Sequence, residues 1–384
     1  MDQQTDAERL SLGFIGGGVS SAVGQTHFAA SQLDGRWALC AGAFSRDSET
    51  NCQTGQLWNV PKDRVYDDYR DLIEREKDCL DAVVVLTPTP YHTEVVEALL
   101  NANIPVICEK TLVSDLEDLE RIKKAYKPNE HFLAVTLNYS GYPMVRELRH
   151  RIEKGEFGKI IKLQMEMPQE TFIREIGFNG GRITPQEWRL TDGTIPTICL
   201  DLGVHLHHLA TFLTGQEPET VTGEFLSYTP YENIVDDITV GLRYASGMSG
   251  TMWFSKAALG HRNGLRIRIY GTKGSAEWYQ AESEELKIGY QNGARVWVDR
   301  GALTYVSQKP RYNRMKPGHP SGFIEAFANL YVDIADAYLA WRQTAKMANP
   351  YVYGLEHSET GLKTFQAARQ SFENNGKWIQ VNEV

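Results

Sequence analysis

The stretch Ser11-Leu12-Gly13-Phe14-Ile15-Gly16-Gly17-Gly18-Val19-Ser20-Ser21-Ala22-Val23-Gly24 decides the fold class of the first half of this chain. Its apolar run predicts a strand, its three glycines a tight turn, and the pattern continuing through Gly24, His27 and Ala30 a helix. In that order the turn's backbone can approach a pyrophosphate at a helix N-terminus, where unsatisfied amides favour an anion. Gly16 and Gly18 match the first two glycines of the dinucleotide fingerprint. Ser21 stands at the third position, and Gly24 takes over its helix-packing role if the turn is longer.

Downstream, residues 37–44, 81–87, 104–108 and 132–137 read as further strands, with helical patterns over 69–75, 92–101 and 116–126. Alternation at this pace implies βαβ units and a parallel sheet, hence an α/β Rossmann dinucleotide-binding domain over residues 1–137. Three loops follow strands at the edge where such sheets bind ligands. After the second strand, where an acidic residue for the ribose hydroxyls is expected, the chain carries Ser45-Arg46-Asp47. A hydroxyl and a guanidinium suit a 2′-phosphate, which tilts the choice between NAD and NADP toward NADP, while Asp47 can serve as a helix cap. The second loop is Thr87-Pro88-Thr89-Pro90-Tyr91-His92, and the third is Glu109-Lys110-Thr111.

From residue 138 the pattern changes to an α+β domain, 138–384, with a large open, mainly antiparallel sheet. A helix over 144–154 precedes strands at 160–167, 221–228, 238–244, 250–255, 265–270, 276–280 and 286–290, with turn pairs such as Ser246-Gly247 between them. Helical patterns close the chain at 322–341 and 357–372. Such a sheet needs helices on one face and often a partner on the other, which predicts a homodimer or homotetramer.

Within this half, Asp201-Leu202-Gly203-Val204-His205-Leu206-His207-His208 carries the densest titratable chemistry. Read as one α-helix, it places Asp201, His205 and His208 at i, i+4 and i+7 on one face, and turns His207 away. Asp and His at this spacing also suit zinc, but no second cluster of Cys or His completes a coordination sphere, His92, His261 and His319 being isolated, so no metal site is expected.

Composition narrows the partners. With 384 residues the chain is long enough for two cored domains, and its net charge of -9 without a Lys/Arg cluster argues against nucleic acid. The five cysteines are scattered without a CxxC pair, residues 1–10 form a polar tail, and no apolar run reaches a membrane span. A cytoplasmic protein is expected, with a small-molecule ligand and neither membrane nor nucleic acid as partner.

Together these motifs resemble the Gfo/Idh/MocA family, the glucose-fructose oxidoreductase, inositol dehydrogenase and rhizopine-catabolism group of NAD(P)-dependent sugar and cyclitol oxidoreductases. The family's glycine turn resembles Gly16–Gly18, and its Thr-Pro-x-x-x-His loop resembles Thr87-Pro88 through His92. Its Glu-Lys-Pro motif resembles Glu109-Lys110, and its Asp-x-Gly-x-His motif resembles Asp201, Gly203 and His205. The segments Asn138 to Pro143, Trp188-Arg189 and Gly318-His319-Pro320 through Phe327 look like a branch containing anhydrosugar and glycoside dehydrogenases. The resemblance implies that Lys110, Asp201 and His205 are catalytic and that a sugar-like substrate borders Tyr139, Arg189, His208 and His319. It also implies that Gly16, Gly18, Ser21, Ser45, Arg46, Thr87, Pro88, His92, Glu109 and Lys110 surround the cofactor. The implied reaction interconverts a secondary hydroxyl and a ketone, down to the 3-hydroxyl of a glucoside. An NAD-recycling glycosidase or a non-catalytic nucleotide-sensing regulator are the other activities known on this fold.

Two positions depart from the family. Thr194-Ile195-Pro196-Thr197 replaces glycines before Asp201, and Thr111 replaces the proline after Lys110. Because a cis bond before a residue other than proline costs roughly 3–4 kcal/mol, the sequence predicts a trans Lys110-Thr111 bond.

Overall fold

The computed structural model describes residues 9–177, 180, 181, 185–302 and 304–384. All but the last two residues of the expected amino-terminal tail lie outside them. The chain divides into two compact units, Met1–Gly141 with Phe323–Ser358, and Tyr142–Gly322 with Glu359–Val384.

The first unit runs β1 (Leu10–Gly16), α1 (Ala22–Leu33), β2 (Trp37–Ala43), α2 (Ser48–Leu57), α3 (Tyr69–Glu76), β3 (Ala82–Leu86), α4 (His92–Asn101), β4 (Val106–Glu109), α5 (Leu116–Ala125) and β5 (Leu133–Thr136). The five strands form one parallel sheet in the order β2-β1-β3-β4-β5, the Rossmann arrangement expected. Every residue of β3, β4 and β5 is buried. Burial on both faces is why these strands read as unbroken apolar runs instead of alternating ones. The chain leaves β1 toward β2 on one side and returns to β3 on the other, so the topological switch point lies between the ends of β1 and β3.

The second unit contains α6 (Pro143–Glu153), β6 (Ile160–Pro168), a π-helical turn (Cys199–Gly203), α7 (Val204–Thr214), β7 (Thr220–Leu226), β8 (Asp237–Arg243), β9 (Ser249–Ser255), β10 (Arg266–Gly271), β11 (Gly274–Tyr279), β12 (Glu285–Tyr290) and β13 (Arg295–Asp299). After them come α8 (Phe323–Thr344), α9 (Leu355–Glu373) and β14 (Ile379–Gln380). The sheet has nine strands in the order β13-β12-β11-β10-β6-β9-β8-β7-β14. Among the described residues only β6 and β9 pair in parallel in this sheet, so the expectation of a mainly antiparallel sheet holds. Leu163, Met165, Met252, Phe254, Ile267 and Ile269 fill its inner face, where Phe254 meets Phe365 of α9 edge to face. The opposite face mixes charged and aromatic side chains. It is half-exposed and carries Arg268 paired to Glu166 at 3.2 Å and to Glu277 at 2.8 Å, alongside Trp253 and Tyr279.

The expected domain boundary at 137/138 falls at 141/142, and α8 returns to the first unit. The reason is a long-range core: Phe327, Leu330, Tyr331, Ile334 and Tyr338 of α8 pack with Leu12, Phe14 and Trp37. The Trp37 indole donates to the Tyr331 carbonyl at 2.9 Å, and Asn329 donates to the Gly141 carbonyl at 2.8 Å. At Gly141 a Cβ would lie 2.0 Å from the Ala326 carbonyl oxygen, so this close approach needs glycine.

Candidate active site

In the first unit, Gly16 and Gly17 adopt positive φ of 82° and 72°, which lets the chain double back from β1 into α1. A Cβ on Gly16 would sit 2.8 Å from the Thr87 amide nitrogen, so β1 and the loop after β3 meet backbone to backbone at the switch point. Gly24 takes the third glycine role, since a Cβ there would lie 1.7 Å from the Gly17 carbonyl oxygen. Ser21 is the N-cap instead: its hydroxyl accepts from the Gly24 amide at 3.2 Å. That leaves other first-turn donors of α1 for an anion.

After β2, Asp47 caps α2, accepting from the Thr50 amide at 2.8 Å and the Thr50 hydroxyl at 2.6 Å. These bonds hold its carboxyl below the usual value, the Thr50 hydroxyl most. Asp47 is thus committed to the cap. Ser45 accepts from the Asp47 amide at 3.1 Å, and the exposed Arg46 lies over the Tyr91 ring at 5.4 Å.

Pro88 is exposed in the loop after β3, whereas His92 is 1 % exposed and ties that loop to the next. Its Nδ1 lies 2.7 Å from the Thr111 carbonyl oxygen and its Nε2 2.8 Å from that of Thr87. Burial pushes the His92 imidazole below its ordinary value although both carbonyls pull the other way, so a neutral ring donates to one of them at a time. The structure therefore gives His92 the part of a brace between two ligand-edge loops.

Glu109 ends β4. Its carboxylate accepts from the Thr136 hydroxyl at 2.7 Å and pairs with His27 Nε2 at 3.4 Å, while His27 Nδ1 meets the Tyr331 hydroxyl at 2.8 Å. Burial raises Glu109, but His27, the Lys110 charge and Thr136 together outweigh it and hold the carboxyl below its ordinary value. Lys110 follows, half-buried, and its bond to Thr111 is cis. This corrects the expected trans bond. The cost of a cis bond before threonine is set for an isolated peptide, whereas here Thr111 is packed in, 7 % exposed with its carbonyl against His92.

Among the described residues, Thr87 Oγ1, Thr111 Oγ1 and Asn138 Nδ2 are buried without a protein partner. Such orphans call for a ligand or water. All three follow carboxyl ends of parallel strands, so together with the glycine cradle they fit a dinucleotide. Sequence reading took Asn138 only as part of the segment through Pro143, although its place two residues after β5 is the same signal that marked Thr87 and Lys110.

In the second unit, the expected continuous α-helix is broken. Asp201 lies in the π-helical turn and His205 in the first turn of α7, so the phase linking Asp201 to the histidines is not the α-helical one. Asp201 Oδ2 takes Lys256 Nζ at 2.6 Å and Arg189 Nη1 at 3.2 Å. Arg189 also stacks on Trp188 at 4.9 Å. His205 is 6 % exposed, and His208, at 1 %, meets the Phe212 ring at 5.8 Å. His207 turns to α9 and pairs with Glu217 at 2.9 Å. His319 is exposed, its carbonyl accepting from Arg300 at 2.9 Å, and Tyr139 in the first unit is 4 % exposed against Phe323. Lys256 and its partner Gln169 were not singled out from sequence, because each reads as the ordinary end of a strand. Among the described residues no group of three or more His, Cys, Asp or Glu is placed to hold a metal, and no helix is long and apolar enough to cross a membrane.

A parallel sheet with a glycine cradle at its switch point, joined to a mixed-sheet unit carrying a buried Asp-His site, defines a nicotinamide-dependent oxidoreductase. Residues 10–137 match the family described as oxidoreductase family, NAD-binding Rossmann fold, and residues 145–277 match the GFO/IDH/MocA C-terminal domain. The chain belongs to this GFO/IDH/MocA oxidoreductase family and is an enzyme with an NAD-binding domain. It is similar to the crystal structure of an oxidoreductase from Sinorhizobium meliloti, with 33% identity, a TM-score of 0.82 and coverage of 97% of this chain and 100% of that one. An inositol dehydrogenase homolog from Azotobacter vinelandii, solved with NADH and myo-inositol, is 26% identical, with a TM-score of 0.87 over 97% of this chain and 98% of its own. The myo-inositol 2-dehydrogenase of Thermotoga maritima is 28% identical over 84% of this chain and 85% of its length.

Proposed function

We propose that this enzyme interconverts a secondary hydroxyl and a ketone on a sugar, glycoside or cyclitol, with the 3-hydroxyl of a glucoside as the first candidate. The observation that carries the reading is the nearly buried His205 imidazole following a carboxylate bridged by two cations, in a chain whose other unit has an NAD-binding fold. The inositol dehydrogenase relatives point to the same polyol chemistry.

His205 takes the hydroxyl proton as general base, because imidazole titrates near working pH. Lys110 stabilises the developing alkoxide with a charged hydrogen bond. Asp201 orients the reacting pair, while Tyr139, Arg189, His208 and His319 border the substrate. When bound, the nicotinamide supplies the carbon that accepts the hydride leaving the alcohol. Gly16, Gly18, Ser21, Ser45, Arg46, Thr87, Pro88 and Glu109 hold the dinucleotide, and His92 keeps two of its loops together. With Asp47 spent as a cap and Arg46 exposed beside it, the ribose end favours NADP.

Calorimetric titration with the four nicotinamide forms, followed by a polyol panel monitored for net NAD(P)H, tests the reading. Net reduced cofactor with a cyclitol, sugar or glucoside supports it. No binding of any form, or turnover of a glycoside without net NAD(P)H, refutes it.

A further inference from the structure

The mechanism above leaves a buried lysine unexplained. Lys256 follows β9 directly and Gln169 follows β6 directly, and these two strands pair in parallel with Pro168 opposite Ser255, so both chains end level. The Gln169 amide donates to the Ser255 carbonyl at 2.8 Å and the Lys256 amide donates to the Asp236 carbonyl at 2.7 Å, which fixes both residues to the sheet. From that base Lys256 Nζ donates to Asp201 Oδ2 at 2.6 Å and to Gln169 Oε1 at 3.0 Å, with 4% of its side chain exposed. An ammonium this buried is tolerated only when paired and hydrogen-bonded. Charge-assisted bonds of this length are the strong and directional kind.

The partner is also unusual. Asp201 lies in the π-helical turn, an irregularity frequent at functional sites, and its Oδ2 receives Lys256 and Arg189 together. Arg189 belongs to a short turn and retains 30% side-chain exposure, whereas Lys256 is anchored on the sheet. Of the two cations, Lys256 is the rigid one.

We propose that Lys256 is a positioning residue: its ammonium clamps Asp201 as a fixed, ionised carboxylate, so that Asp201 orients the reacting groups without competing with His205 for the substrate proton. This rests on the reading of Asp201 and His205 given above. Lys256 acts through Asp201 alone and forms no bond to the reacting atoms.

The test is a double-mutant cycle of Lys256→Met and Asp201→Asn, with Lys256→Arg as the conservative variant. Lys256→Met lowers kcat at least tenfold with cofactor affinity within twofold of wild type, Lys256→Arg restores most of the loss, and Asp201→Asn costs less than twofold more on the Lys256→Met background. Effects of the two substitutions that multiply, or Lys256→Arg as impaired as Lys256→Met at an unchanged urea midpoint, overturn the proposal. If Lys256→Met does not fold, Lys256→Gln takes its place in the cycle. Wild-type protein that oxidises no polyol refutes the functional reading instead, and the clamp is then judged on urea midpoints without substrate. A double variant no less stable than the weaker single one supports the pairing, and additive losses overturn it.

Discussion

Replacing Gly24 by alanine tests the glycine cradle at its tightest point. The new Cβ would lie 1.7 Å from the Gly17 carbonyl oxygen, 2.4 Å from its carbonyl carbon and 2.7 Å from its Cα. All three are backbone atoms, so no side chain can swing aside. Restoring an ordinary carbon–oxygen separation of roughly 3.2 Å requires the start of α1 and the glycine turn to part by about 1.5 Å. Overpacking of this kind costs about 1–3 kcal/mol, of which the better helix propensity of alanine returns up to about 1 kcal/mol. A net loss of about 0–3 kcal/mol is expected in urea denaturation at 25 °C. The same displacement spoils amide geometry for a pyrophosphate, and losing one hydrogen bond to a charged group, about 1.5–3 kcal/mol, weakens dinucleotide affinity by roughly 10- to 100-fold. Gly18→Ala is the contrast, since its Cβ would meet Thr54 Oγ1 at 3.2 Å and the Phe44 carbonyl oxygen at 3.3 Å, contacts that yield by tenths of an ångström. It should leave the urea midpoint nearly unchanged. A Gly24→Ala protein with the wild-type midpoint and dinucleotide affinity within twofold, measured by calorimetric titration, would refute the assignment of Gly24 as the packing glycine.

Four further outcomes are expected. His205→Asn and Lys110→Ala each lower turnover by about a hundredfold or more in steady-state assays while cofactor titration stays near wild type, and His207→Asn, facing α9, does not. Arg46→Ala shifts the ratio of NADP to NAD affinity toward NAD by roughly tenfold, the loss of one charged phosphate contact; an unchanged ratio removes Arg46 from cofactor choice. Burial lowers the His92 imidazole from 6.5, so the folded state binds fewer protons than the unfolded one below that pH. Stability from this group is complete above pH 6.5 and declines as pH falls toward the lowered folded value, a slope in urea midpoints that His92→Gln should flatten. Light scattering should show a dimer or tetramer, with the half-exposed sheet face around Arg268, Trp253 and Tyr279 as the contact; a monomer at micromolar concentration excludes it.

The sequence by itself determined what local chemistry controls. The run Ala82–Leu86 is apolar throughout because both faces of a parallel strand are buried, and Gly16 and Gly17 mark the turn because only glycine takes positive φ there freely. Strand alternation in the second half followed from one covered face. Helix α2 was missed because Ser48–Leu57 has no apolar stripe to betray it, its start being set by the Asp47 cap. What only the tertiary structure decided depends on residues far apart in the chain. Nothing local assigns α8 to the first unit; its Tyr331 and Phe327 are placed there by a core shared with β1 and β2. The π-helical turn at Asp201 and the cis bond at Lys110 break rules of periodicity and peptide geometry that hold for isolated segments, and both occur where neighbouring elements hold the chain. Lys256 lies 55 positions after Asp201, and only the level ends of two parallel strands bring its ammonium to that carboxylate. Distance along the chain carries no information about such a contact, because sheet pairing, not periodicity, sets it.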